Sequence, residues 1–412
     1  MESSSEHLSL RIPEPLARPG QTASFGDLRL SDAGAVRRPE PDCAEVEMLD
    51  LAYSLVRVLD DAGTAHGPWR ESLDTSTLVT GLRDMLTVRV FDRTMLRAQR
   101  RGTTSFYVQA LGEEAVACAH RRALDPGDMC FPTYRQQGLL IAAGYPLVSM
   151  ANQIFSNSED PLKGRQLPVL YSAKDHGFFS ISGNLGTQFI QAVGWAMASA
   201  LSGDSRLASG WIGDGATAES DFHSALVFAS TYQAPVILNI VNNQWAISTF
   251  QGFARGSGET FAARGHGFGI PALRVDGNDW LAVHSATAWA AERARRNLGP
   301  TLIEWVTYRV GAHSSSDDPA AYRPGDEPAR WPLGDPIDRL DAHLRALGSW
   351  SATDFEQLVE TVEAEVEAAV TQAASFGTLH DDGPPERAAS MFDDVFAEPT
   401  PELLRQRRQA GF

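Results

Sequence analysis

An α/β fold, with a mostly parallel central sheet flanked by helices, is what this chain predicts, and three consecutive stretches carry the prediction. Leu207 to Ile212 is an apolar run that reads as a buried strand. Ala216 onward reads as a helix with Glu219 and Asp221 in its first turn, where the helix dipole favours acids. Pro235 to Ile240 (PVILNI) reads as the next strand. Continuous apolar strands alternating with helices are the pattern of parallel sheets covered on both faces.

The remaining elements extend this unit in both directions. Residues 1 to 42 mix Pro, Ser, Gly and Arg without periodicity and predict an extended or partly disordered arm. Ser76 to Gln99 is helical by the spacing of Leu78, Leu82, Met85, Val88 or Arg89, and Leu96. Phe106 to Val108 reads as a short strand and Glu113 to Arg122 as a helix. The turn Asp125-Pro126-Gly127-Asp128 then leads to a strand over Met129 to Thr133. Phe189 to Leu201 is an apolar helix, Thr301 to Val306 a buried strand, and Ser314 to Pro336 a long loop rich in Ser, Asp, Pro and Gly. Loops of that length in compact domains are functional or disordered. Thr353 to Ala373 carries Phe355, Leu358, Val362, Val366 and Val370 on one stripe and predicts an amphipathic helix packed on the body. Three regions follow: the arm (1–42), an α/β domain (43–340) and a C-terminal helical region with a tail (341–412).

Composition narrows the class. A chain of 412 residues that is 43% hydrophobic can bury a large core. Its formal net charge of −17 argues against nucleic acid and anionic membrane as partners. Cys43, Cys118 and Cys130 have neither metal-ligand spacing nor an even disulfide framework, so a reducing compartment is expected. Without a signal peptide, an arginine-rich transit helix or an apolar span, the expected location is the cytoplasm.

Function is carried by the turn Gly213-Asp214-Gly215, answered by Asn243, the second residue of an Asn-Asn pair 29 positions after Asp214. The turn lies at a strand-to-helix corner, where backbone N–H groups favour phosphate and glycines let the chain bend. A carboxylate there would repel phosphate, so it calls for a cation between them. Asn242 and Asn243 fall at the carboxyl end of the next strand, where α/β sheets bind ligands. Asp carboxylate, Asn amide oxygen, a backbone carbonyl and phosphate oxygens make a hard shell suited to Mg²⁺. Gly213 to Ala218 (GDGATA) also fits the dinucleotide fingerprint G-x-G-x-x-A. That reading wants an acid for the ribose at the tip of the second strand, and the chain offers Asn239, Asn242 and Asn243 there. A nicotinamide dehydrogenase is thus the weaker reading, and a non-catalytic scaffold is disfavoured by a complete metal motif.

GDGATAES, followed by IVNNQWAIST (240–249), resembles the thiamine diphosphate motif of the α subunits of 2-oxo acid dehydrogenase E1 components. TYRVGAHSSSDDPAAYR (307–323) resembles the active-site loop of the branched-chain members. The similarity runs from about residue 75 to the C-terminus, and it implies a thiamine diphosphate-binding fold. It implies that Tyr134 and Arg135 contact the diphosphate, a task suited to a planar guanidinium. It also gives cofactor contacts to Gly213, Asp214, Gly215, Ala216 and Asn243. Mg²⁺ would be held by Asp214, Asn243 and the Trp245 carbonyl. The Gly183 carbonyl would meet the cofactor's 4′-amino group, and Leu185 would prop the two rings into their bent form. Ser182, Thr187 and Gln188 match a K⁺-binding loop. Several relatives carry an arginine where Val241 stands, and Arg255 or a partner residue is a candidate to replace its charge.

His313 opens the long loop and is the candidate catalytic residue, contacting the cofactor and relaying protons or stabilising an enolate. Some relatives have a second histidine where Ala312 stands, and Ser314 matches a serine that a kinase modifies in mitochondrial relatives. The implied activity is oxidative decarboxylation of a branched-chain 2-oxo acid with transfer of the acyl unit to the lipoyl group of an E2 acyltransferase. Pyruvate and acetoin dehydrogenases are the rivals within the class. The implied assembly is an α₂β₂ heterotetramer with an E1 β subunit, toward which Phe189 to Leu201 and the tail Met391 to Phe396 are candidate contacts.

Overall fold

The structure, a computed structural model, describes residues 10–379 and 388–412. In chain order the strands are β1 (Leu55–Val56), β2 (Met129–Phe131), β3 (Ala208–Gly213), β4 (Val236–Asn242), β5 (Trp245–Ala246), β6 (Thr249–Phe250), β7 (Ala272–Asp276) and β8 (Thr301–Val306). The helices are α1 (Thr75–Arg100), α2 (Glu114–Arg122), α3 (Gly138–Ala142), α4 (Leu147–Phe155), α5 (Thr187–Leu201), α6 (Ser220–Tyr232), α7 (Gly252–Arg255), α8 (Trp280–Arg295), α9 (Pro336–Ala346), α10 (Ala352–Ala374) and α11 (Pro401–Gln409). Six strands form one parallel sheet in the order β1-β7-β8-β4-β3-β2, and β5 and β6 form a small antiparallel hairpin.

Alternate side chains of the strands feed two cores, one on each face of the sheet. Ile237 and Val241 of β4, Trp211 of β3 and Ile303 of β8 join the larger core, with α1, α2, α8 and α9. Val236, Leu238 and Ile240, with Ile212 and Leu302, join the other, under α5 and α6. The mostly parallel α/β sheet flanked by helices is therefore present as expected.

Several local expectations are corrected. Phe106 to Val108 is irregular rather than a strand, because it is pinned through side chains: Asp92 accepts from the Tyr107 hydroxyl at 2.7 Å and from the Ala110 amide at 2.6 Å. The segment after the Gly-Asp-Gly turn is a 3₁₀ turn over Gly215–Ala218, and α6 starts only at Ser220. Strand β4 runs two residues past Ile240, so Asn242 belongs to the sheet, where its amide donates to buried Glu304 at 2.8 Å. The long loop contains two short 3₁₀ turns, Pro319–Ala321 and Pro328–Arg330.

The arm is extended from residue 10 and fastened to the body. The indoles of Trp69 and Trp289 donate to the Arg37 and Pro39 carbonyls at 3.0 and 2.9 Å, and the Ala23 amide donates to Asp326 at 3.1 Å. Phe25 stands edge-on to Trp331. The boundary expected at residue 340 falls inside α9. Helix α10 buries Val362 and Val366 in the larger core, so this part of the C-terminal region is continuous with the body. Helix α5 buries Phe189, Ala192, Val193 and Ala196, and Leu201 at its end is exposed. In the tail, Met391, Val395 and Phe396 are exposed while Phe392 is buried beside Phe412.

Candidate active site

The carboxyl ends of adjacent strands β2, β3 and β4 open onto one cleft of about 670 Å³. Its walls include Tyr134, Arg135, Ser182, Gly183, Leu185, Gln188, Gly213, Asp214, Gly215, Ala216, Val241, Asn243, Trp245 and His313. Of the residues singled out from sequence, Thr187, Asn242, Arg255, Ala312 and Ser314 lie outside this wall. Thr187 begins α5, and Arg255 lines a neighbouring cleft beneath the arm, so its charge is not delivered here.

Asp214 is buried at the β3 end. Its Oδ1 accepts from the Gly215 amide at 2.8 Å, and its Oδ2 is buried without a partner. Burial, aided by nearby Glu113, pushes its carboxyl up to about 7. An unpaired carboxylate oxygen at a cleft wall is a position a cation would satisfy. Asn243 donates from Nδ2 to Glu113 Oε1 at 2.8 Å, which turns its carbonyl oxygen away from that carboxylate. Among the described residues no group of three or more His, Cys, Asp or Glu side chains could hold a metal ion. A cation here would therefore depend on amide, carbonyl and ligand oxygens beside Asp214.

The two glycines of the turn play different parts. A Cβ on Gly215 would lie 2.2 Å from Ala246 Cβ, so the hairpin packs against this position only because it is glycine. A Cβ on Gly213 would meet nothing within 4 Å and would project into open space at the cleft wall. The connection after Asn243 is strained, with Gln244 at φ 77° and the β-branched Ile247 at φ 54°.

Arg309 holds this strained turn in place. It donates to the Trp245 carbonyl at 2.7 Å, the Ile247 carbonyl at 2.9 Å and the Tyr322 hydroxyl at 2.6 Å. The Trp245 carbonyl, expected as a metal ligand, thus already faces a guanidinium. Arg135 likewise spends its donors inside the protein, on the carbonyls of Gln109 and His313 and toward Glu113 at 3.5 Å. Its fork is not aimed at open space, because these carbonyls anchor the loop that carries His313.

His313 is enclosed by that same network. Its Nδ1 lies 3.1 Å from Arg309 Nη1 and 3.4 Å from Arg135 Nη2, and its Nε2 lies 3.3 Å from the Tyr134 hydroxyl. Guanidinium groups only donate, so Nδ1 is the acceptor and the ring proton is assigned to Nε2. Burial and the two arginines push the imidazole down to about 3, so the ring is neutral around pH 7. Asp317 accepts from the His313 amide at 2.7 Å and from the Tyr322 hydroxyl at 2.8 Å, closing the loop on itself. Ser314 follows directly in this braced segment.

In the Gly183 loop, Gln188 donates to the Ser182 carbonyl at 2.8 Å, and the Asn184 amide donates to Ser182 Oγ at 3.1 Å. Leu185 projects outward with 53% of its surface exposed.

Four residues of the site carry no role in the expectations drawn from sequence. Arg309, Asp317 and Tyr322 stand inside the loop motif and were legible there as charged or hydroxyl groups flanking His313. Glu113 has no motif around it, and only the fold brings it beneath Asn243.

Comparison with known proteins shows the family to which the chain belongs. The family described as Dehydrogenase E1 component matches residues 82–381, and that described as 2-oxoisovalerate dehydrogenase E1 alpha subunit N terminal matches residues 6–45. The chain is 63% identical over 406 residues to the 2-oxoisovalerate dehydrogenase subunit alpha of Pseudomonas aeruginosa, covering 98% of this chain and 99% of that one. It is 37% identical to the mitochondrial human subunit of the same name, covering 86% of this chain and 78% of that one. Against subunit alpha 2 of Arabidopsis thaliana the figures are 37%, 85% and 73%. The chain belongs to the dehydrogenase E1 component family, among the α subunits of 2-oxoisovalerate dehydrogenases.

Proposed function

We propose that this chain binds thiamine diphosphate through Mg²⁺ and, with an E1 β subunit in an α₂β₂ assembly, decarboxylates branched-chain 2-oxo acids such as 3-methyl-2-oxobutanoate and acylates the lipoyl group of E2. The observation that carries the reading is the unpartnered Asp214 Oδ2 on the same cleft wall as Asn243. Asp214 and the Asn243 amide oxygen would hold the cation, with the Trp245 carbonyl beside them. Gly213 to Ala216 would let the diphosphate approach the backbone, and Tyr134 and Arg135 would flank it. Gly183 and Leu185 would meet the rings, while Ser182, Thr187 and Gln188 would order their loop around K⁺. When bound, the thiazolium ring supplies the electron sink for loss of CO₂.

The protein's part is position and proton placement. His313 holds a proton at Nε2 and would donate it to the oxygen derived from the substrate carbonyl. Burial, with Arg135 and Arg309, keeps the ring neutral, and the two guanidinium groups favour that tautomer. No helix among the described residues is long and apolar enough to cross a membrane. The test is cofactor binding and turnover by the assembled enzyme. Thiamine diphosphate should be retained only with Mg²⁺, and 3-methyl-2-oxobutanoate should be turned over in preference to pyruvate. Retention of NAD instead, or a preference for pyruvate, would overturn the corresponding part.

A further inference from the structure

Glu113 is a buried carboxylate that the mechanism above does not use. It stands at the position before α2, yet its side chain makes no capping bond to that helix. Its neighbour Glu114 has an ion pair of its own with Arg89 at 2.8 Å. Glu113 Oε1 instead accepts from Asn243 Nδ2 at 2.8 Å and lies 3.5 Å from Arg135 Nε, while Oε2 is buried with no partner and the residue lines the cleft. One carboxylate thus touches both the amide expected on the metal and the guanidinium expected beside the diphosphate.

The geometry points to Glu113 as a positioning residue for metal and diphosphate, an inference that rests on the function proposed above. The two ends of an Asn amide are nearly equal in size, but only the oxygen can ligate Mg²⁺. Glu113, as an acceptor, holds Nδ2 at 2.8 Å, while Oδ1 has only a long 3.4 Å contact from the Trp245 amide and would be left to the cation. With a donor or an apolar group in its place, only the long contact from the Trp245 amide would oppose turning the NH₂ toward the metal. The carboxylate–amide–metal relay has the logic of partners that orient ligands without touching the ion. The unpartnered Oε2, buried at the cleft wall, would be free to accept a further hydrogen bond once the ion and its ligands are bound.

The test uses Glu113→Ala and Glu113→Gln in the assembled enzyme, with thiamine diphosphate binding followed by tryptophan fluorescence as Mg²⁺ is titrated. Glu113→Ala is expected to raise the Mg²⁺ concentration for half-saturation by roughly 10–100-fold. Full binding capacity should return at high Mg²⁺ in the folded variant. Glu113→Gln, which keeps the shape and one acceptor oxygen, is expected to shift the requirement less but measurably. An unchanged Mg²⁺ requirement in whichever variant folds would overturn the inference. So would a lost binding capacity that excess Mg²⁺ does not restore. Failure of the wild-type enzyme to bind thiamine diphosphate with Mg²⁺ would instead overturn the proposed function.

Discussion

Arg309 Nη1 lies 3.1 Å from His313 Nδ1, and the same guanidinium binds the carbonyls of Trp245 and Ile247. One side chain therefore sets the tautomer of the candidate proton donor and ties its loop to the turn that follows Asn243. Lysine cannot reproduce this, because its single ammonium lacks the planar spread that reaches both groups.

Burial and Arg135 hold the His313 imidazole down with Arg309, so replacing Arg309 with Met should raise it from about 3 by the share that Arg309 supplies. The sign follows from charge: a nearby cation disfavours the imidazolium, so its removal makes protonation easier. The acid limb of the kcat/KM profile is then expected at higher pH than in wild type, with kcat lower by roughly 10-fold or more, the scale of a misplaced general acid. An unshifted acid limb would show that Arg309 does not govern His313.

For His313→Ala, the cofactor should still bind, because Asp214 and Asn243 follow β3 and β4 and neither is hydrogen-bonded to the imidazole. Acyl transfer to lipoamide is expected to slow by on the order of 10²-fold or more. Comparing single-turnover decarboxylation with lipoamide acylation checks this, and normal turnover would reduce His313 to a structural role.

Much of this site was legible because the sequence places each group directly after an apolar strand. Asp214, Asn243 and Tyr134-Arg135 follow β3, β4 and β2, and parallel strands present all their carboxyl ends to one side. What was not legible depends on contacts between distant segments. Glu113 lies 130 residues from Asn243 in sequence, and no local pattern announces that their side chains meet. Likewise, Phe106 to Val108 has strand composition, but its hydrogen bonds go to the buried Asp92 and to the loop after His313. Tertiary partners override propensity in so short a run. The helix start missed at Ala216 has the same origin, since Gly215 packs against Ala246 and the chain needs a tighter turn before α6 can begin.

Asp214 makes the stability of the cofactor-free enzyme depend on pH. Its folded-state value of about 7 lies above that of the unfolded chain, so its contribution is complete only below the unfolded value of about 4 and is lost progressively as pH rises to about 7. Asp214→Asn removes this loss and should raise the melting temperature at pH 8 by roughly 2 °C or more, with little change below about pH 4. The variant should also lose Mg²⁺-dependent retention of thiamine diphosphate. Retention equal to wild type would falsify the metal assignment.

The arm should act as a brace for the body. Truncation before residue 43 removes the carbonyl partners of the Trp69 and Trp289 indoles, and each unpaired buried donor costs about 1–3 kcal/mol. A clear fall in melting temperature is expected. If the truncated and full-length proteins melt together, the arm is only an appendage.

The last prediction is that the chain is inert without its β subunit. In the family it resembles, thiamine activation needs a glutamate on the aminopyrimidine N1′, supplied by the β chain. Here the carboxylates lining the cleft, Glu113 and Asp214, both sit with the groups proposed to meet the diphosphate. The mouth of the cleft also exposes Leu185, Ile247 and Phe253, each more than half accessible, which is the character of a surface buried by an obligate partner. The cofactor would then lie across the α–β interface, with only half of its contacts on this chain. Decarboxylation assays and size measurements on the chain alone and with its β subunit are expected to show activity only in the heterotetramer. Alanine at Ile247 and Phe253 should weaken assembly before it affects the fold. Full activity from the isolated chain would refute the shared site.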